Sequence, residues 1–410
     1  MWNLIKNEII KLHYRRKLLI TAIVLAVIII LLCIGTFAVS KVAKSVSTPK
    51  GQIKLYETSI SNLEKQKTMN KKLSEEEKQQ MDKDIENIKK EIEKLKEEDE
   101  KLSTTSNSDN WQVNLESKVS ALEKEKTDLD KYNDPNSFER VNKELLINKN
   151  LLDNKIKPLQ GTDFTSFTTL QIFFALCSII LVCIIVAILT ADIVSGECTP
   201  PTMKVLLSRP VSRWKVLLAK YISALCASLI IIVAMELILY LLAGVIFGFQ
   251  NMSYPIAVGT QFKEDLAHVS VMQKSYTAIV GSTYIIPLWA YMLRALLMQI
   301  LFIIAAVSFC FLLSSVLKSS SLSMTLSIVF IIVLDIVSKL PFNITTKISS
   351  FIFISYGNSL NVIASKLPDN PLGGIQPLQT PLTGIIVLSL WSIGCYVISH
   401  LVFTKKDILI

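Results

Sequence analysis

Apolar and polar positions along the 410-residue chain are segregated on the scale of whole helices. Leu18–Ala38 runs 21 residues without a charge, enough to cross a hydrocarbon core roughly 30 Å thick. Five further apolar runs follow. They are Ile172–Ala191; Tyr221–Phe249, interrupted by Glu236; a run from near Pro287 through Val316, with Arg294 early in it; a run between Lys318 and Lys339, with Asp335 near its end; and Leu382–Phe403. The pattern predicts an all-α membrane protein with six transmembrane helices. Ala38 and Ser40, after Arg15-Arg16-Lys17, also form a small-x-small site like one that ends a signal peptide. A cleavable apolar region, however, runs about 7–15 residues. The first run is therefore read as a retained span.

Between the first two runs the pattern changes. Ile85, Ile88, Ile92, Leu95 and Leu102 follow the spacing of a coiled-coil seam. Ser103–Asn110 has the composition of a turn. Leu115, Val119, Leu122, Leu129 and Tyr132 then mark a returning arm. Asp134-Pro135-Asn136 interrupts it, because proline disfavours helix at the residue before it, and Phe138, Val141, Leu145 and Leu152 continue it. The expectation is one antiparallel helical hairpin over 51–157, with arms of about 50 residues and about 75 Å. Residues 41–160 hold 24 Lys/Arg and 24 Asp/Glu, 48 of the 77 charged side chains in the protein. The plain reading of such a block is a solvated spacer or charged linker. The sharper one is a device that touches substrate, a partner subunit or the cell wall.

Charge outside this block sets an orientation. The net +9 comes as +4 from residues 1–17 and +5 from 161–410. With the N-terminus inside, the segments 1–17, 192–220, Lys318 and Lys405-Lys406 carry 13 Lys/Arg, whereas the loops 249–284 and 339–381 carry five. Basic residues stay cytoplasmic, so both termini are expected inside and the charged block outside a bacterial plasma membrane. The loop 339–381, with five prolines, is expected to be at least partly irregular. Basic excess that flanks apolar runs argues for membrane topology rather than nucleic acid.

Chemistry is sparse. No Gly-Lys dipeptide occurs, so the chain has no phosphate-binding G-x-x-x-x-G-K-[ST] loop. His13, His268 and His400 are far apart, and the seven cysteines include no C-x-x-C pair. No catalytic residue, metal or cofactor is expected, and energy for any uphill movement must come from another polypeptide.

Residues 192–215 read DIVSGECTPPTMKVLLSRPVSRWK. They describe a span exit, a Pro-Pro turn and a short amphipathic helix with Met203, Leu206 and Leu207 on one face. Glu197, Thr202, Leu206-Leu207 and Pro210-Val211-Ser212-Arg213 resemble the permeases of ABC-2 type transporters. The pattern departs at Pro201, where that family usually has glycine. Trp2, Ile5, Ile9 and Leu12 lie on one helical face of the N-terminus, which is similar to the family's interfacial elbow helix. The ending Phe403–Ile408 is similar as well. The likeness covers about 290 residues, the body without residues 41–160.

With the resemblance, the expected organisation is an elbow helix over 1–17, a first span over 18–40 and spans two to six over 166–410; the outer hairpin over 41–165, read from its own spacing, is an addition to the family's common pattern. A coupling segment over 196–215 would dock on a separate cytoplasmic ATP-binding subunit, which would hold the ATP and magnesium. Its residues would be Glu197, Thr202, Met203, Leu206, Leu207, Arg209, Pro210 and Arg213. The competing reading of Arg209, Arg213 and Lys215 is as topology anchors on anionic lipid. A second permease copy or paralogue is also implied.

Two ionisable residues lie deep in the spans, where charge is expensive. Glu236 and Arg294 fall at depths similar to within about 8 Å on neighbouring helices, so an ion pair between them is expected. The rival is that Glu236 faces a substrate path. Asp335 and Lys339, four apart, are expected to pair.

Three functions stay open. The first is an exporter permease for an amphipathic peptide, antibiotic or lipid-like substrate. The second is a non-transporting membrane scaffold, since phage-infection-protein and secretion-accessory relatives carry a coiled-coil block after their first span. The third is a mechanotransmission protein acting through the hairpin on an extracellular partner.

Overall fold

A computed structural model describes residues 1–14, 17–69, 75–104, 111–132, 134–159, 163–197, 212–270, 273–340, 348–365 and 379–405. The chain divides into two compact units. The first holds Met1–Ile30, Ser117–Ile156 and Thr165–Ile410; the second holds Leu31–Glu116 and Lys157–Phe164.

In the first unit, helix α1 (Trp2–Tyr14) is followed by α2 (Lys17–Ser47), whose first half belongs here. Helix α5 (Trp111–Tyr132), which belongs here from Ser117 on, and α6 (Pro135–Asp153) come next, then α7 (Ser166–Leu176), α8 (Ser178–Thr190) and a 3-10 turn at Ser195–Glu197. Helix α9 (Arg213–Phe247), four short strands, α10 (Leu288–Val316), α11 (Ser320–Lys339), a 3-10 turn at Phe353–Tyr356, α12 (Ser359–Ala364) and α13 (Pro381–Lys405) complete it. Six helical stretches are long and apolar enough to cross a membrane, matching the six expected runs: Lys17–Ser47, Ser178–Glu197, Arg213–Phe247, Leu288–Val316, Ser320–Lys339 and Pro381–Lys405.

Helix α10 is the axis of the body. It packs against α8, α9, α11 and α13, and buries Phe302, Ile303, Ala305, Ala306, Val307, Cys310 and Phe311. Small residues in that stretch let neighbouring backbones approach, which is how apolar helices gain contact in a lipid solvent.

The second expected span is broken. At Cys177 the helix divides into α7 and α8, and Ser178 Oγ donates to the Phe174 carbonyl at 2.7 Å and to the Gly357 carbonyl at 3.3 Å. A serine hydroxyl on the i−4 carbonyl competes with the helix ladder and bends it. Gly357 is needed there, since a Cβ would lie 2.8 Å from Ile179 and 2.9 Å from Phe302.

Both expected loops carry structure. In 249–284 and just beyond it, β1 (Pro255–Val258) pairs antiparallel with β4 (Tyr284–Pro287), and β2 (Phe262–Ser270) with β3 (Gln273–Ala278). Gly259 and Gly281, both at positive φ, stand where the two ladders part. In 339–381 the turn Phe353–Tyr356 is buried against Phe302 and Phe309 of α10 and Trp391 of α13. Irregular backbone is tolerated among membrane helices where protein surrounds it.

The charged block also differs from the single long hairpin expected. In the first unit, α6 doubles back on α5: Val119 and Leu122 pack with Val141 and Leu145, and Lys149 pairs with Glu123 at 2.7 Å. Asp134 makes the reversal possible. It caps α6 by accepting from the Asn136 and Ser137 amides, with Pro135 in the first turn. In the second unit, α3 (Pro49–Met69) packs on α4 (Glu75–Thr104), and Lys67 meets Asp82 at 2.5 Å. The five-residue connection makes them antiparallel neighbours. Of the expected seam on α4, Ile85 and Ile92 are buried and Ile88 and Leu95 half-buried.

Candidate functional site

The strongest polar cluster lies where α8 ends. Ser314 Oγ on α10 accepts from the Val194 and Ser195 amides at 3.1 and 3.2 Å, which fixes the exit of the span. Glu197, last residue of the 3-10 turn, is buried. Its Oε1 accepts from Lys220 Nζ of α9 at 2.6 Å and from Lys11 Nζ of α1 at 3.3 Å. Lys220 also reaches Glu8 Oε2 of α1 at 2.9 Å, and Lys11 reaches Glu8 Oε1 at 3.0 Å. Lys17, at the start of α2, bonds to Asp192. Two carboxylates and two ammonium groups thus close a ring of four ion pairs, and Lys17–Asp192 is a separate pair.

Local geometry explains the arrangement. Helix α9 spans 35 residues, roughly 52 Å, which exceeds a hydrocarbon core of roughly 30 Å. Its first turns therefore extend past the apolar zone, and Lys220 lies two turns in. On α1, Glu8 and Leu12 are buried while Trp2, Ile9, Ile10 and Tyr14 are exposed. The helix turns one stripe toward α9 and leaves an apolar stripe outward. Burial works to raise the Glu8 pKa, but Lys220 and Lys11 more than offset it, and the carboxyl sits below its ordinary value. Burial likewise works to lower the Lys11 pKa, while Glu8 and Glu197 outweigh it and raise it.

Of the residues expected to couple to an ATPase, Glu197 is in this ring. Arg213 is the first residue of α9, exposed, with Ser212 at the N-cap. Thr202, Met203, Leu206, Leu207, Arg209 and Pro210 lie outside the described residues. Glu8, Lys11 and Lys220 were missed by sequence reasoning. Lys220 was counted as one of several flanking cations, although its position beside the apolar run beginning at Tyr221 was a signal that it needed a partner.

The expected ion pair between Glu236 and Arg294 is not formed. Glu236 instead accepts from Gln299 Nε2 of α10 at 3.3 Å, and Arg294 donates to the Tyr284 hydroxyl at 3.4 Å. Gln299 is five residues, about 7.5 Å, further along α10 than Arg294, so matching depth to within about 8 Å was too coarse to choose between them. Asp335 and Lys339 do pair, at 2.7 Å.

At the opposite end of α10, Glu139 of α6 accepts from the Gly281 amide at 2.8 Å and the Thr283 amide at 3.0 Å. Asn136 accepts from the Ala278 amide at 2.7 Å and donates to the Tyr276 carbonyl at 3.3 Å. Helix α6 is thereby fastened to the strands that lead into α10.

Residues 2–408 match the family model described as ABC-2 family transporter protein. No curated protein matches the chain.

Proposed function

The chain belongs to the ABC-2 family transporter proteins, and from that premise we propose that it is the membrane-spanning permease subunit of an ATP-driven exporter in a bacterial plasma membrane. The observation that supports this most is the ring of Glu8, Lys11, Glu197 and Lys220. It stands directly before residues 198–211, the segment whose sequence resembles a coupling helix. A push on that segment from a cytoplasmic ATP-binding subunit would pass through Glu197 into α1 and α9, and through Ser195 into α10. The engine is a separate chain, because this one carries no phosphate-binding loop. A second copy or a paralogue completes the pathway. Between their charged ends the six apolar runs contain only Glu236, Arg294 and Asp335 as charged residues, which favours an amphipathic peptide, antibiotic or lipid-like substrate.

The test is reconstitution with a candidate cytoplasmic ATP-binding subunit. Leu206→Asp and Glu197→Lys are expected to lose co-purification with that subunit or stimulation of its ATPase. Normal assembly and transport in both variants would remove the reading.

One observation favours a second reading, mechanotransmission. Glu139 and Asn136 tie α6 to the strands preceding α10, so movement of α10 would be handed to α5 and α6. Deleting residues 52–110, which spares both helices, separates the two. Abolished vesicle transport with ATPase stimulation intact would assign the outer block to the transport path. Intact vesicle transport with loss of function in cells would assign it to transmission.

A further inference from the structure

Glu236 lies far inside α9, and the ring at Glu197 makes no use of it. Its carboxylate receives one hydrogen bond, the 3.3 Å contact from Gln299 Nε2, and among the described residues no cation pairs with it. Gln299 is fully buried, and its Oε1 has no hydrogen-bond partner. One turn along the same face of α9, the buried Tyr240 hydroxyl also lacks one. The Glu236 carboxylate and the Gln299 amide oxygen only accept, while the Tyr240 phenol can donate or accept and bonds to neither, so the Glu236–Gln299 contact between α9 and α10 is short of donors and of positive charge. An ionisable side chain inside the membrane without a compensating partner marks a place where something else binds.

We propose that this seam binds the primary ammonium head of an amphiphile taken from the bilayer. An ammonium supplies one positive charge and three N–H donors, matching the carboxylate and the unpaired amide oxygen together. A quaternary head supplies the charge without the donors, and a hydroxyl supplies a donor without the charge. Access is lateral: Leu237 and Leu241 on α9, and Leu293 and Leu297 on α10, are exposed on the apolar surface beside the seam. Arg294 is turned away, toward Tyr284. As a statement about substrate, the inference rests on the export reading and narrows it to cationic amphiphiles. As a statement about binding, it needs no ATPase, so the two fail separately.

The experiment is thermal unfolding of the full chain in nanodiscs of zwitterionic lipid, titrated with dodecylamine, dodecyltrimethylammonium or dodecanol. Saturating dodecylamine is expected to raise the wild-type Tm by roughly 2 °C or more, with smaller shifts from the other two probes. Glu236→Gln is expected to abolish the difference among the three. Equal shifts from all three probes in the wild type would overturn the proposal, and that comparison stands even where the variant does not fold. No shift from any probe, as for a seam that holds water alone, would overturn it too. So would a dodecylamine shift undiminished in Glu236→Gln.

Discussion

Lys220 Nζ lies 2.6 Å from Glu197 Oε1, and the lysine side chain is 1% exposed. Such a pair costs desolvation on both sides and is a weak source of net stability. Its consequence is positional. A lysine that has given up water must keep its carboxylates, so α1, α9 and the exit of α8 move together or the charge is stranded.

Lys220→Met should therefore destabilise the protein strongly. Breaking a buried pair by removing one member costs about 3–5 kcal/mol, because the other charge stays behind. Lys11, which is 45% exposed, softens the loss for Glu8 and Glu197 without replacing the buried cation. The double variant Glu197→Gln/Lys220→Met should recover part of the loss, since it removes charge from both sides. Thermal unfolding in nanodiscs decides this, and strictly additive losses would count against coupling between the two residues.

Docking of α1 should depend on pH at both ends of the range. The Glu8 pKa is depressed in the folded protein, so its contribution is present above the ordinary carboxylate value and is lost as pH falls through the depressed one. The Lys11 pKa is raised, so its contribution is full below the ordinary lysine value and is lost as pH rises through the raised one. Amide exchange over Trp2–Tyr14, corrected for intrinsic rate, should be slowest between these limits. Glu8→Gln should flatten the acid side. An unchanged acid limb in that variant would refute the assignment.

The six spans were legible in the sequence because each is an unbroken apolar run, and the solvent that selects such runs acts on every residue in them alike. What escaped was pairing between distant positions. Glu8 and Lys220 are 212 residues apart, and nothing in the pattern around either names the other. The strands in 249–287 left a fainter trace: Ile256 and Val258, then Ile285 and Ile286, beside the turn glycines Gly259 and Gly281. Asp134-Pro135 was read correctly as a break. Whether a break kinks a helix or reverses it depends on what the next segment packs against, and here Val141 and Leu145 return to Val119 and Leu122.

Glu139→Ala should loosen the junction between α6 and the strands without disturbing the helical body. The Thr283 amide is buried, and leaving a buried donor without its acceptor costs about 1–3 kcal/mol. Gly281 is exposed and can bond to water instead. Exchange at the Thr283 amide should therefore rise about tenfold or more, with little change at Gly281 and none in α8. Equal acceleration throughout the chain would mean that Glu139 supports global stability and not this junction.

Orientation can be tested without any partner protein. The segments 1–17, 192–220, Lys318 and Lys405-Lys406 hold 13 basic residues against five in the loops 249–284 and 339–381, a bias that is expected to keep the former in the cytoplasm. After replacement of the seven native cysteines, Ser106→Cys and Ser208→Cys place one thiol in the charged block 41–160 and one in the segment 198–211. A membrane-impermeant maleimide should label the first in intact cells and the second after permeabilisation alone. The reverse pattern would put residues 198–211 outside, beyond reach of any nucleotide-driven subunit. The ring at Glu197 would then be a structural brace with no motor to receive.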